Sequence, residues 1–258
     1  MNEDNYQFLV RALGKLGFED SLDSALRTKM QLNFPSFELK AKVNHGKDHM
    51  IHELSFDQKK TGGFYFLNSQ NVTLVKENQE EVKQRFPFFN QKGFSNEQTY
   101  NLMNGRSVLN TVRIEGKDIT RWTRIDFLSE KNDKDNFIFR NVKVDDLSFS
   151  LVKELGKLPI QSLDQDSKET LLRGLQMGNR ETVLLRYEGQ RERVYLEASP
   201  GTNSINVYNS QGERISLSTS KIQVIQEEKG KEIPDMTKKM MEKATNASLD
   251  KEPKKKIS

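Results

Sequence analysis

The stretch from Ser95 to Gly116, SNEQTYNLMNGRSVLNTVRIEG, combines a capped helix, a glycine stop and a strand that turns at Glu115-Gly116. The chain repeats this order from Ser167 to Gly189, SKETLLRGLQMGNRETVLLRYEG, with the same nine residues between the glycine stop and the Glu-Gly turn. A weaker third copy, which lacks the glycine stop, runs from Leu22 to Phe56 and turns at His45-Gly46. We expect an α+β fold of antiparallel sheets with helices packed on one face, built from repeated helix–hairpin–strand modules.

Changes in the hydrophobic period mark further elements around these copies. A helical spacing over Leu22 to Met30 gives way to an alternating pattern from Phe37, which predicts a hairpin, then a short strand, a turn at Asn68 to Asn71 and another strand. Ser95 and Gln98 have the spacing of a capping box. Later helices are expected to start after Asp145 or Asp146 and to cover Lys168 to Met177. The predicted organisation is an N-terminal α+β module at 1–90, tandem helix–hairpin–strand modules at 91–226 and a charged tail at 227–258.

Composition predicts a polar, soluble protein. Of the 258 residues, 30% are charged and 34% hydrophobic, and the mean hydropathy is −0.77. No apolar run approaches the roughly 20 residues of a membrane span, and the N-terminal MNEDNYQF lacks the basic start and apolar stretch of a signal peptide. The absence of cysteine excludes disulfides, thiolate metal sites and cysteine nucleophiles. We therefore expect a cytoplasmic protein without a membrane partner.

The overall charge gives only a weak preference for a polyanionic partner. Lysine and arginine number 41 against 37 acidic residues, a formal net charge of +4. The segment 227–258 contains nine lysines, seven acids and no aromatic residue, so we expect this tail to be largely disordered. The rest of the chain is close to neutral, and a nucleic-acid site there has to depend on local clustering of basic residues.

The three histidines, His45, His49 and His52, all belong to one predicted hairpin. Side chains alternate faces along a strand, so His49 and His52 point to opposite sides unless the strand bulges. A metal ion needs several converging ligands. We expect a polar hairpin face and no metal or other cofactor, and metal binding by this hairpin stays open as the alternative.

Two carboxylates, Asp126 and Glu197, occupy similar places in the two main copies, towards the end of the strand after each Glu-Gly turn. General acid–base catalysis needs such groups to converge in a cleft, and the spacing gives no sign of convergence. Glu38 and Lys40 have the spacing of a metal-dependent nuclease motif, but no acidic residue on a preceding strand accompanies them. We predict no catalytic residues and no enzyme activity.

Basic and aromatic residues are interleaved in the central predicted strands. Single-stranded nucleic acid is held by rings that stack on bases and by cations that contact phosphates. Strand alternation, however, places Arg121 on one face and Trp122 with Arg124 on the other. A solvated sheet face with the aromatic residues in the core is the alternative interpretation. The candidate nucleic-acid-binding residues are Arg113, Arg121, Trp122, Arg124 and Arg140, interleaved with Phe137 and Phe139.

Several stretches resemble a family of uncharacterised proteins from Bacteroidota. They are Leu102 to Val108, Leu155 to Leu163, Leu175 to Asn179, and Glu197 to Pro200 with Ile205 to Asn209. Similar helix, glycine and hairpin modules resemble domains of unknown function on mobile elements, sometimes beside type IA topoisomerase or mobilisation genes. The resemblance covers about residues 5–217 and implies a bacterial setting, with no catalytic residues.

These patterns predict a non-enzymatic bacterial accessory binding protein, associated with single-stranded nucleic acid on a mobile element. The alternative is a protein–protein adaptor or scaffold that binds a protein partner and has no nucleic-acid affinity. A continuous basic groove lined by Arg121, Arg124 and Arg140 would favour the first function, and a mixed surface would favour the second.

Overall fold

The computed structural model describes residues 1–59, 63–88, 93–146, 148–187, 190–218 and 221–224. Within these residues the fold is α+β, as predicted, with three antiparallel sheets in the orders β1-β2-β3-β4, β5-β6-β7 and β12-β11-β10-β9-β8. The helices are α1 (Glu3–Lys15), α2 (Asp23–Gln31), α3 (Asn96–Met103), α4 (Leu151–Leu155) and α5 (Gln165–Gln176). The strands are β1 (Ser36–His45), β2 (Asp48–Gln58), β3 (Tyr65–Val75), β4 (Glu81–Pro87), β5 (Val108–Ile114), β6 (Lys117–Asp126), β7 (Ile138–Lys143), β8 (Glu181–Tyr187), β9 (Gln190–Ser199), β10 (Ser204–Tyr208), β11 (Arg214–Ser218) and β12 (Lys221–Val224).

The first sheet, β1 to β4, packs one face against α1 and α2. Alternate residues of its strands are buried because side chains on a strand point to opposite faces in turn. The apolar stripes of the two helices cover that face. We call the resulting set the amino-terminal cluster; its buried members are Tyr6, Leu9, Leu13, Leu16, Phe18, Leu22, Leu26, Met30, Phe37, Leu39, Leu54, Phe56, Tyr65, Leu67 and Phe88.

The turn predicted at Asn68 to Asn71 is wrong, because β3 continues through these residues. Gln70 is fully buried in the strand, where its side chain bonds to His52 and Thr99. A β-bulge after Ser55 of β2 absorbs one extra residue of β3. Residues that favour turns in water stay extended here because their polar side chains find partners inside the fold.

Helix α3 begins with the predicted capping box. The Ser95 hydroxyl accepts from the backbone N–H of Gln98 at 3.2 Å, and the backbone N–H of Ser95 donates to Gln98 Oε1 at 3.1 Å. The helix ends ahead of Gly105, whose φ of 76° lies in the left-handed region. Strands β5 and β6 then form the predicted hairpin around Glu115-Gly116.

The second sheet, β5 to β7, lies between two further hydrophobic clusters. Strand β6 contributes to both, with Ile125 on one face and Trp122 on the other. The central cluster joins this sheet and α3 to the first sheet through Met50, Val72, Leu74, Val82, Phe86, Leu102, Met103, Val108, Ile125 and Phe127. The carboxyl-terminal cluster joins it to α4, α5 and the third sheet through Trp122, Phe149, Leu151, Leu171, Leu175, Val183, Leu185, Val194, Leu196, Ala198, Val207 and Ile215.

Two helix starts differ from the prediction. Residues 144–146 form a short 3₁₀ turn, and the hydroxyl of Ser150, rather than Asp145 or Asp146, caps α4. Helix α5 begins at Gln165, ahead of the predicted Lys168, because Asp164 accepts from the Ser167 N–H at 2.7 Å. Aspartate and serine side chains can both accept hydrogen bonds from the free amides at a helix start. Where several such residues are neighbours, the sequence alone does not decide which one caps the helix.

The order helix, glycine, hairpin and returning strand occurs twice, from α3 to β6 and from α5 to β9. Gly105 and Gly178 both adopt left-handed backbone, with φ of 76° and 85°. The predicted turn at 188–189 lies outside the described residues. Superposition of the two segments, and with it the repeated module, stays a prediction.

The remaining boundaries are predictions of the sequence. The division into 1–90 and 91–226 stays a prediction, although the central cluster takes residues from both sides of it. The tail at 227–258 lies outside the described residues. Among the helices of the described chain, none combines the length and the apolar character needed to cross a membrane.

Candidate nucleic-acid interface

The register of the second sheet assigns its side chains to two faces. Cross-strand pairs such as Asn110 with Arg121 and Thr123 with Asn141 put these residues on the same face. We call it the Arg121 face; its members are Val108, Asn110, Val112, Ile114, Lys117, Ile119, Arg121, Thr123, Ile125, Phe139, Asn141 and Lys143. The opposite Trp122 face consists of Leu109, Thr111, Arg113, Asp118, Thr120, Trp122, Arg124, Asp126, Ile138, Arg140 and Val142.

The five residues predicted to bind nucleic acid do not share one face. Arg121 lies on the Arg121 face, whereas Arg113, Trp122, Arg124 and Arg140 lie on the Trp122 face. The separation of Arg121 from Trp122 and Arg124 agrees with the alternation expected from the sequence. Arg121, Arg124 and Arg140 therefore cannot line one groove.

Trp122 is a core residue. Its side chain is 5% exposed, and its indole meets the Phe149 ring edge-on with the centroids 5.8 Å apart. An indole in this position has no free face on which a base could stack, so the inclusion of Trp122 among the binding residues is wrong. The alternative interpretation, an aromatic residue in the core, holds for Trp122, and we expect its substitution to reduce stability.

Acidic partners neutralise part of the Trp122 face. Arg140 Nε donates to Asp126 Oδ2 at 2.8 Å, and Arg113 Nε lies 4.0 Å from Asp118 Oδ1. Burial raises the pKa of the Asp126 carboxyl, but hydrogen bonds from Arg140 and from backbone amides outweigh this effect, and the pKa is lowered overall. This face therefore has mixed charge.

The Arg121 face carries positive charge and no acidic side chain from its own three strands. Its charged members are Lys117, Arg121 and Lys143, and the three strands place no aspartate or glutamate on it. None of these cations forms an ion pair with another residue in the described ranges. Arg121 Nε is shielded from solvent and has no hydrogen-bond partner in that part of the chain, and burial lowers the pKa of the guanidinium. The face therefore attracts anions.

A cavity of about 270 Å³ opens on the Arg121 face. On its sheet side, Thr123 Oγ1 lies 3.0 Å from Asn110 Oδ1 and 2.7 Å from Asn141 Oδ1. The cavity is lined by Pro87, Gly93, Phe94, Asn110, Thr111, Val112, Arg121, Thr123, Phe139 and Asn141. This lining combines amides, hydroxyls, a guanidinium and aromatic rings, and it contains no carboxylate.

Buried side-chain amides of the first sheet hold the aromatic walls of the cavity. Gln70 Nε2 donates to the carbonyl oxygen of Phe94 at 3.2 Å. The Gln84 amide donates to the carbonyl of Phe137 at 3.2 Å and accepts from its N–H at 2.9 Å. Two residues further on, the Phe139 ring lies nearly parallel to that of Phe94, at 22° with the centroids 6.4 Å apart. The first sheet thus positions the rings that border the cavity.

Part of this site cannot be predicted from the sequence. The two-residue turn at Glu115-Gly116 fixes the register of β5 on β6 and so pairs Asn110 with Arg121, a signal that the sequence does contain. The long loop before β7 gives no such constraint, so the position of Asn141 beside Thr123 cannot be deduced from it. The residues missed are Phe94, Asn110, Lys117, Thr123, Asn141 and Lys143.

The two carboxylates considered for catalysis lie in separate ion pairs. While Asp126 pairs with Arg140, Glu197 Oε1 accepts from Arg180 Nε at 2.7 Å and Glu197 Oε2 accepts from the Tyr208 hydroxyl at 3.0 Å. Burial and the neighbouring Glu197 raise the pKa of Tyr208 to about 12. Each carboxylate therefore has structural partners of its own.

The three histidines have different surroundings. Strand β2 pairs regularly from His49 to Ser55, so His49 and His52 point to opposite faces. His45 stacks on Tyr100 with the ring centroids 4.2 Å apart, and burial lowers its pKa. Across the described ranges, no group of three or more histidine or acidic side chains is placed to hold a metal ion.

Comparison of the chain with protein-family models, with curated proteins and with solved structures gave no match in any of the three. The resemblance to a Bacteroidota family stays a prediction of the sequence. What the Arg121 face can bind therefore follows from its own charge and geometry.

Proposed function

We propose that the protein is a non-enzymatic binding protein that holds single-stranded nucleic acid on the Arg121 face. The observation that carries the proposal is the set of Lys117, Arg121 and Lys143 on a face without an acidic residue. Cations arranged in this way contact phosphates and release the counterions of the strand. A role as an accessory factor on a bacterial mobile element rests on the family resemblance alone.

A single strand suits this face better than a duplex. The central cluster covers the part of this face that contains Val108 and Ile125, and the cavity lies beside the uncovered part that contains Arg121. A strand that follows the uncovered part passes over the opening of the cavity. Unpaired bases can turn out of the strand into such a cavity, whereas the bases of a duplex are stacked and paired. We therefore expect weaker binding of a duplex than of a single strand of the same sequence.

The test compares two charge reversals on one strand. Fluorescence anisotropy is measured with short labelled single strands of DNA and RNA. Arg121→Glu should weaken binding by about tenfold or more, because it removes a phosphate contact and places a carboxylate against the phosphates. Arg124→Glu, the matched control, makes the same change on the opposite face of β6 and should alter the affinity by less than about threefold.

Salt dependence gives a second readout of the same contacts. Three phosphate contacts on a single strand should give a plot of log affinity against log salt concentration with a slope of about −2. A fourfold rise in salt concentration should therefore weaken binding about 15-fold. Equal effects of the two variants would exclude the Arg121 face. No binding of the wild-type protein to either strand at low salt and micromolar protein would exclude nucleic acid. Melting temperatures of both variants show whether each is folded.

A protein–protein adaptor is the second candidate function. A mainly apolar groove of about 450 Å³ between α4 and α5 favours it, with Leu155, Leu158 and Leu172 among the lining residues and Val152 65% exposed at its edge. Exposed apolar surface of this kind is typical of interaction sites. If the wild-type protein binds no strand, the adaptor becomes the favoured function.

A further inference from the structure

We infer that the cavity on the Arg121 face accepts one unpaired nucleobase, recognised through the side-chain amides of Asn110 and Asn141. The inference rests on the proposed function, since it names what part of a strand occupies the cavity. It goes beyond phosphate contacts, which fix a strand in place without distinguishing its bases.

The hydrogen bonds of Thr123 determine what the two asparagines offer to a ligand. Its hydroxyl oxygen lies close to both Asn110 Oδ1 and Asn141 Oδ1, at 3.0 and 2.7 Å, but a hydroxyl has one hydrogen to donate. Because the oxygen and nitrogen of an amide are assigned from their partners, one asparagine must turn its NH₂ group towards Thr123. That asparagine presents its carbonyl oxygen, and the other presents its NH₂ group. Together they offer an acceptor beside a donor.

An acceptor beside a donor complements the edge of a nucleobase. Asparagine amides recognise adenine in this way, and unpaired bases are read along their hydrogen-bonding edges. Neither Asn110 nor Asn141 makes another side-chain hydrogen bond within the described part of the chain, and both line the cavity. Their remaining hydrogen-bonding groups are therefore available to a ligand.

The size and walls of the cavity suit a single base. Its volume of about 270 Å³ lies below the about 300–1,000 Å³ of sites for drug-sized ligands, which leaves room for one small planar group. Phe94 and Phe139 give the cavity an apolar wall that a base can contact. Arg121 lies in the same lining, where it can hold the phosphate attached to that base.

The experiment uses the full-length protein and four probes. They are homopolymeric strands of adenine, cytosine and thymine, and a strand of equal length with abasic sites. Apolar and base-edge contacts are expected to make at least one homopolymer bind about tenfold more tightly than the abasic strand. Asn141→Ala should remove most of this preference while leaving the affinity for the abasic strand unchanged. Asn141 is exposed on the edge strand β7, so its replacement should not disturb folding.

Two further variants complete the design. Asn110→Ala should act like Asn141→Ala, because the two amides act on one base. Asn44→Ala, the same change at an exposed position of β1 in the first sheet, is the matched control and should leave every affinity unchanged. Free mononucleotides are titrated as a separate arm, which distinguishes a base within a strand from a free nucleotide with the same chemistry.

The outcomes separate the inference from the proposed function. Suppose that the homopolymers and the abasic strand bind with equal affinity and that Arg121→Glu still weakens the binding of each. This result would overturn the base cavity and leave strand binding in place. Binding of free nucleotides that depends on Asn110 and Asn141, in the absence of strand binding, would support the base cavity and overturn the proposed function. The absence of binding in every arm would overturn both.

Discussion

At the scale of single residues, a buried hydrogen-bond chain fixes the protonation state of His52. The carbonyl oxygen of Phe94 can only accept, so the Gln70 NH₂ group must face it and Gln70 Oε1 must face His52 Nδ1, 2.9 Å away. The proton of the neutral imidazole therefore lies on Nδ1. His52 Nε2 is buried and has no partner in the described chain. A second proton there would place an unpaired charge in the core, and burial lowers the pKa of His52 to about 4.

This pKa predicts a loss of stability in mild acid. In the unfolded chain His52 titrates near 6.5, so between about pH 6.5 and 4 the unfolded state binds more protons and stability falls as the pH falls. From pH 7 to 5 the free energy of unfolding should drop by about 2 kcal/mol through His52. Urea unfolding of His52→Gln should lack this part of the pH dependence, whereas His49→Gln should retain it. The same slope in both variants would show that another group is responsible.

Residue-level sequence reasoning fails where polar side chains are buried. The composition of Asn68 to Asn71 favours a turn in water, and only the partner groups on other elements, such as His52 and Thr99, keep Gln70 in a strand. Trp122 shows the converse, because alternation gives its face correctly but does not tell that α4, α5 and the third sheet cover that face. Both errors arise from tertiary contacts that no local pattern encodes.

At the scale of elements, local signals predict well. The capping box of α3 and the hairpin at Glu115-Gly116 form as expected because each depends on a few neighbouring residues. At the end of α5, two features favour glycine at position 178: its left-handed backbone and the close approach of other atoms. An added Cβ would lie 2.8 Å from Val108 Cγ2 and 2.9 Å from the carbonyl oxygen of Ser107, where α5 approaches the start of β5.

Crowding at Gly178 predicts different costs for two glycine-to-alanine substitutions with similar backbone strain. Gly178 and Gly116 have φ of 85° and 79°, but an added Cβ at Gly116 meets no atom within 4 Å. Gly116→Ala should cost about 1–2 kcal/mol for left-handed strain, and Gly178→Ala should cost about 1–3 kcal/mol more for overpacking. Denaturant unfolding of both variants gives the difference. Equal losses of stability in the two variants would mean that the contact between α5 and β5 adjusts to the added methyl group without strain.

At the scale of the whole molecule, the three hydrophobic clusters connect the sheets in series. The sequence predicts a boundary between modules at residue 90. The central cluster nevertheless packs Val72, Leu74 and Phe86 of the first sheet against Leu102 and Ile125. Periodicity identifies which residues are buried but not against which element they pack, and so it cannot show that one core spans a predicted boundary.

Because the sheets share a core, a destabilising substitution in the first sheet should also destabilise the surroundings of Trp122, the only tryptophan. Leu74 is fully buried in the central cluster, which meets β6 through Ile125, on the opposite face from Trp122. Leu74→Ala should cost about 2–5 kcal/mol and lower the urea midpoint of Trp122 fluorescence together with that of circular dichroism. Asn71→Ala, an exposed position of the same strand, should leave both midpoints unchanged. An early transition in circular dichroism with an unmoved Trp122 midpoint would show instead that 1–90 unfolds as a separate domain.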